Sequence, residues 1–134
     1  METTVTFTVA TADYRRAKGG LAPWQVRRLG SYIDENLHGA LSIGELAAVV
    51  RLSRSHFSRA FRDSFGDPPH QYIIGRRMQR AKGLLLSTAE PIVKIAADCG
   101  LADQAHLTKL FRKIVGESPA HWRRMRMDPV AWTR

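Results

Sequence analysis

The feature that most limits how this chain can fold is a repeat within it. His56, Phe61-Arg62, Gly66 and Pro69 recur fifty residues on as His106, Phe111-Arg112, Gly116 and Pro119. The aromatic Tyr72 recurs as Trp122, and upstream Ile43, Leu46, Ala47 and Ala48 match Ile92, Ile95, Ala96 and Ala97 at an offset of forty-nine. One residue is therefore inserted in the turn of the second copy. Each copy reads as a short helix with small residues, a tight turn, and a second amphipathic helix with polar and basic outer positions. That is the plan of a helix-turn-helix unit. Alanines suit the first helix, because steeply crossed helices need small side chains where they approach most closely.

Helical periodicity extends through the rest of the chain. Val26, Leu29, Ile33 and Leu37 stack on one face and predict a first helix over 23–38. Ser42, with Glu45 three residues on, reads as a capping box opening a second, short helix. Ser53 caps a third helix, whose inward residues are Phe57, Phe61 and Phe65 and which stops at Gly66. Pro69 opens a long fourth helix over 69–87 with Ile74, Met78, Ala81 and Leu85 inward. Gly75 and Gly83 within it each cost about 1 kcal/mol against alanine, which suggests a closely packed neighbour. Pro91, Asp103 and Ser118 open three more helices, the last containing Trp122. Trp24, Trp122, Met78 and Met125 fall at or beside apolar helical positions and are expected in the core.

The expected fold class is therefore all-α, with seven helices forming two helix-turn-helix subdomains joined by a long linker helix. Residues 23–68 form the first subdomain, 69–87 the linker and 88–127 the second, with a tail at 128–134. Residues 1–22 read as an N-terminal arm, since the alternation of Val5, Phe7 and Val9 offers only a lone strand without a partner.

Charge narrows the partner. Lys and Arg total 21 against 12 Asp and Glu, a net charge of +9 that suits a polyanion. Residues 1–52 carry a net +1 and residues 88–102 a net −1, whereas 53–87 carry +5 and 103–134 carry +4. The excess thus falls on two separate segments, each containing the second helix of one repeat. The single Cys99 excludes an intramolecular disulfide and fits a reducing compartment, and the N-terminus lacks the pattern of a secretory signal. No apolar run approaches the roughly 20 residues needed to span a bilayer, so a cytoplasmic location and no membrane partner are expected. At 134 residues no regulatory domain beside a full binding module is expected.

No catalytic residue, metal site or cofactor is expected. Glycine-rich phosphate loops and Cys/His clusters are absent from the sequence, and the five histidines are scattered. Cys99 lies in an apolar stretch without a basic activator nearby. An RNA reader would expose aromatics for stacking, and a membrane-surface helix would need a broad exposed apolar stripe; neither matches this pattern.

Helical spacing selects the outward positions. With Phe57 and Phe61 inward, Ser55, Ser58 and Arg59 face outward in the first copy; with Leu107 and Phe111 inward, Gln104, Ala105, His106 and Lys109 do so in the second. These seven are the candidate base readers. The fork of Arg59 suits guanine O6 and N7, Gln104 suits adenine, and Ala105 suits a thymine methyl. Arg54, Arg62, Arg77, Arg112, Lys113 and Arg123 are cast as phosphate contacts, with an internal pairing of Arg77 left open.

The chain resembles the DNA-binding domain of the AraC/XylS family of transcription regulators over about residues 23–125. The carriers are Leu46-Ala47, the helix from Ser53 to Phe61 with Gly66-Asp67-Pro68-Pro69, and the pattern Tyr72, Arg77-Met78, Ala81 and Leu84-Leu85. The distal carriers are the run Ile95 to Gly100, Asp103, Phe111-Arg112-Lys113, Gly116-Glu117-Ser118-Pro119 and Trp122-Arg123. Leu101 and Leu107 depart from the aromatic residues usual there but remain apolar. The resemblance implies a stand-alone, sequence-specific reader of double-stranded DNA with two recognition helices on one side of bent DNA. Because the duplication lies in one chain, a monomer per site is expected, and RNA polymerase is the candidate protein partner. The competing expectation is a non-specific or architectural nucleic-acid-binding protein.

Overall fold

The computed structural model describes residues 20–127; residues 1–19 of the arm expected over 1–22, and the tail expected over 128–134, lie outside the described residues. The described residues form α1 (Pro23–Glu35), α2 (Ile43–Val49), α3 (Arg54–Phe65), α4 (Pro69–Ser87), α5 (Ile92–Asp98), α6 (Gln104–Val115) and α7 (Pro119–Arg126), with no strand among them. They divide into two compact units, one running to Asn36 and resuming over Ala40–Ile74, the other combining Leu37–Gly39 with the chain from Gly75 onward. The long helix α4 is thus shared between the units.

In the first unit, Leu29, Ile33, Leu46, Ala47, Val50, Phe57, Ala60 and Phe61 are buried. Phe65 stacks on Phe61 at 4.1 Å between centroids, and Tyr72 meets both rings edge-on, which fastens the start of α4 to α3. Leu21, which the sequence assigned to the arm, is fully buried, and its N–H donates to Ser64 Oγ at 2.7 Å. Gln25 accepts from Ala22 N–H at 2.7 Å and donates to the Val50 carbonyl at 3.1 Å, joining the start of α1 to the end of α2. The first helix ends at Glu35 rather than 38, and Leu37 is buried as part of the second unit. Ser42 accepts from Glu45 N–H as expected, but the Glu45 carboxylate receives the Tyr32 hydroxyl instead of closing a capping box.

The second unit buries Met78, Ala81, Leu85, Ile95, Ala96, Cys99, Leu101, Leu107, Phe111 and Trp122. Trp122 meets Phe111 edge-on at 5.6 Å. Ile73, not Ile74, is the buried isoleucine early in α4. Trp24 and Met125 are 44% and 63% exposed, against the expectation of core positions. Among the described residues nothing lies within 4 Å of where a Cβ would stand on Gly75 or Gly83, so no neighbouring helix among them accounts for those glycines.

The repeat is visible bond for bond in the turn between the two helices of each repeat copy. Leu52 N–H donates to the Ala47 carbonyl and Arg51 N–H to that of Ala48; Leu101 N–H donates to the Ala96 carbonyl and Gly100 N–H to that of Ala97. This paired pattern closes a helix on a left-handed residue. That residue is Arg51 (φ 62°) in one copy and Gly100 (φ 76°) in the other. Ala47 and Ala96 are buried, as steep helix crossing requires, whereas Ala48 and Ala97 are exposed.

Candidate nucleic-acid interface

Helices α3 and α6 are the second helices of the two repeat copies, and each is fixed at both ends. Ser53 accepts from His56 N–H at 3.3 Å and Asp103 from His106 N–H at 2.8 Å, so each N-cap satisfies an amide otherwise without a partner. At the far ends Gly66 (φ 88°) and Gly116 (φ 100°) take the left-handed conformation and bond back to Arg62 and Arg112. Phe57 and Phe61, and Leu107 and Phe111, hold the inner faces with no exposure at all. The rotation of each helix about its axis is thereby set, and with it the outward face.

On α3 that face presents Ser55 and Arg59 fully outward and Ser58 half-buried, with Arg54 and Arg62 exposed beside them. On α6, Gln104, Ala105, His106, Lys109, Arg112 and Lys113 are all exposed. Gln104, Ala105, Thr108, Lys109 and Arg112 together line one open concavity. Thr108 was missed by the sequence reading, although the repeat marks it as the counterpart of Ser58. His106 is turned back: its Nδ1 accepts from Ala102 N–H at 3.4 Å, which leaves only Nε2 free to face outward.

Arg59, Arg62, Lys109, Arg112 and Lys113 form no ion pair or hydrogen bond through their side chains among the described residues. Elsewhere in the second unit, Lys94 lies between Glu90 and Asp98, and Glu117 is shared by His121 and Arg126. The outer sides of α3 and α6 thus carry five cations without partners among the described residues. Arg62, Arg112 and Lys113 also occupy last turns, where the helix dipole favours positive charge.

Two of the arginines expected at phosphates are engaged within the fold. Arg123 donates from Nε to the Leu85 carbonyl at 3.0 Å, from Nη1 to that of Glu90 at 2.8 Å and from Nη2 to that of Thr88 at 3.1 Å. Its guanidinium thus closes the end of α4 and the loop after it, and its fork is already occupied. Arg77 donates from Nη2 to the Gly39 carbonyl at 2.7 Å, and burial lowers its pKa from the usual value. Both arginines hold backbone carbonyls that lack helical partners. Burial pushes the Cys99 thiol up to about 11, against the pull of nearby Arg80, so it stays protonated at neutral pH and is no nucleophile.

A helix-turn-helix domain family profile matches residues 46–125. The chain is 32% identical over 94 residues to the probable transcriptional regulator LumQ of Photobacterium leiognathi, covering 70% of this chain and 38% of that protein. It spans about a third of the length of the curated relatives it matches. Among solved structures it is similar to the DNA-binding domain of the global transcriptional factor AdpA in complex with a target DNA, with a TM-score of 0.72 and 31% identity over 75% of this chain and 91% of that one. An AraC-type transcriptional regulator from Chromobacterium violaceum also matches, with a TM-score of 0.72 and 28% identity over 78% of this chain and 94% of that one. Family and fold are those of DNA-binding domains of transcription regulators, not of enzymes. The duplicated turn, the two capped helices with unpaired outer cations and these likenesses together place the chain in the AraC-type helix-turn-helix family.

Proposed function

We propose that the chain is a sequence-specific reader of double-stranded DNA that regulates transcription, inserting α3 and α6 into neighbouring major-groove segments. The observation that carries this reading is the recurrence of an outward cationic face on the second helix of both repeat copies: Arg59 and Arg62 in one, Lys109 and Arg112 in the other, all without protein partners among the described residues. Arg59, Ser55 and Ser58 would read bases from α3, and Gln104, Ala105, Thr108 and Lys109 from α6. His106 would contribute through Nε2 alone. Arg54, Arg62, Arg112 and Lys113 would hold phosphates and so set register without reading sequence. Two readers in one chain favour one monomer per site. RNA polymerase is the protein partner that regulation of this kind calls for, and a chromosomal target would locate the chain with the nucleoid in the cytoplasm.

Selecting bound sequences from a random duplex pool tests the specific reading against a non-specific or architectural one, which would enrich no sequence. With the selected site in hand, Arg59→Ala should weaken binding by about 5- to 150-fold, corresponding to the roughly 1–3 kcal/mol of one bidentate base contact, and random duplex by much less. Arg112→Ala should weaken both to a similar degree. Equal losses on the two DNAs for Arg59→Ala would remove it as a reader.

A further inference from the structure

Gly44 lies in the first turn of α2, and Arg54 is the first residue of α3, both in the first unit. The Arg54 guanidinium rests against the bare Gly44: a Cβ there would fall 2.6 Å from Nη2, 2.9 Å from Nε and 3.1 Å from Cζ. Arg54 nevertheless remains exposed and forms no ion pair or hydrogen bond through its side chain among the described residues. The first turns of α2 and α3 both repel a cation through the helix dipole, so electrostatics gives this side chain no reason to stay. The missing side chain at position 44 supplies one, because a planar guanidinium can lie flat on exposed backbone. The second unit has no equivalent: the counterparts of Gly44 and Arg54 are Val93, which is 57% exposed, and Gln104.

We propose that Gly44 is a positioning residue that seats the Arg54 guanidinium on α2 and presents it, already ordered, to a DNA phosphate beside the start of α3. This rests on the DNA reading above and extends it to a residue outside the base readers and phosphate contacts named there. Ordering a long side chain before binding removes a cost that each contact otherwise carries. Gly44 has an ordinary helical backbone, and what an alanine methyl would meet is the far end of a flexible side chain. Gly44→Ala should therefore displace Arg54 while leaving α2 folded, with helix propensity in its favour.

The test is equilibrium binding of the full chain to a mixed-sequence duplex across a salt series, for wild type, Gly44→Ala, Arg54→Ala and the double variant, with thermal unfolding of each. Arg54→Ala should weaken binding and reduce the steepness of the salt dependence by about one counterion. Gly44→Ala should weaken binding about two- to fivefold with its unfolding midpoint unchanged or raised, and should have no further effect once Arg54 is alanine. Unchanged binding in Gly44→Ala, the same loss in both backgrounds, or an Arg54→Ala variant with wild-type affinity and salt slope overturns the proposal while the DNA reading stands. A wild-type chain that binds no duplex overturns both.

Discussion

At the scale of single residues, the two turns pose one backbone problem solved with different side chains. Arg51 and Gly100 occupy equivalent left-handed positions, and only glycine does so without crowding its own Cβ. Arg51→Gly should therefore leave stability unchanged or raise it by up to about 1 kcal/mol in a denaturant titration, the relief of strain outweighing the freedom gained by the unfolded chain. Gly100→Ala meets a second obstacle, since its Cβ would overlap the Leu37 carbonyl and press on the Arg77 guanidinium. A loss exceeding about 2 kcal/mol is expected there. An Arg51→Gly variant clearly less stable than wild type would contradict the account of the first turn. Only the second of these positions was legible from the sequence. A glycine announces a left-handed turn; an arginine forced into one does not.

At the scale of elements, the helices rest on local signals that the chain states openly. The caps Ser42, Ser53, Asp103 and Ser118 each accept an amide three residues on, and α4 spans the residues its periodicity indicated. What joins the elements is less local. Arg123 on α7 binds three carbonyls lying 33 to 38 residues earlier, and Arg77 on α4 reaches back 38 residues to Gly39. Arg123→Ala should destabilise the chain by about 2 kcal/mol or more, as expected when several charge-assisted hydrogen bonds are lost together. Arg123→Lys should rescue little, because a single ammonium cannot reproduce the three-way fork. Arg112→Ala, on an exposed face, should change stability by no more than about 0.5 kcal/mol. The contrast is readable by chemical denaturation without any DNA present, and comparable losses for Arg112→Ala and Arg123→Ala would undo the assignment of Arg123 as a clamp.

At the scale of the whole molecule, the net charge of +9 is concentrated in the two segments that contain α3 and α6. No helix among the described residues is long and apolar enough to cross a membrane. Each repeat copy carries its own capped second helix, so under the proposed reading one chain holds two readers, and the stoichiometry should be one chain per selected duplex. Mass measurement of the complex by sedimentation or native mass spectrometry checks this. Complexes containing only two chains on an inverted repeat would contradict it. Binding should also fall steeply as salt rises, since phosphate contacts release counterions.

The amino-acid sequence by itself determined the helices, their caps, the duplication and the outward positions of α3 and α6. All of these follow from neighbours within a turn or two of helix, where spacing dictates direction. Only the tertiary structure decided which of the many cations face outward without partners. Arg59 and Arg123 look alike in a string of letters, yet one is exposed and the other closes three distant carbonyls. A long side chain goes where an unmet carbonyl or an empty glycine surface lies within its reach, and that is settled by residues tens of positions away.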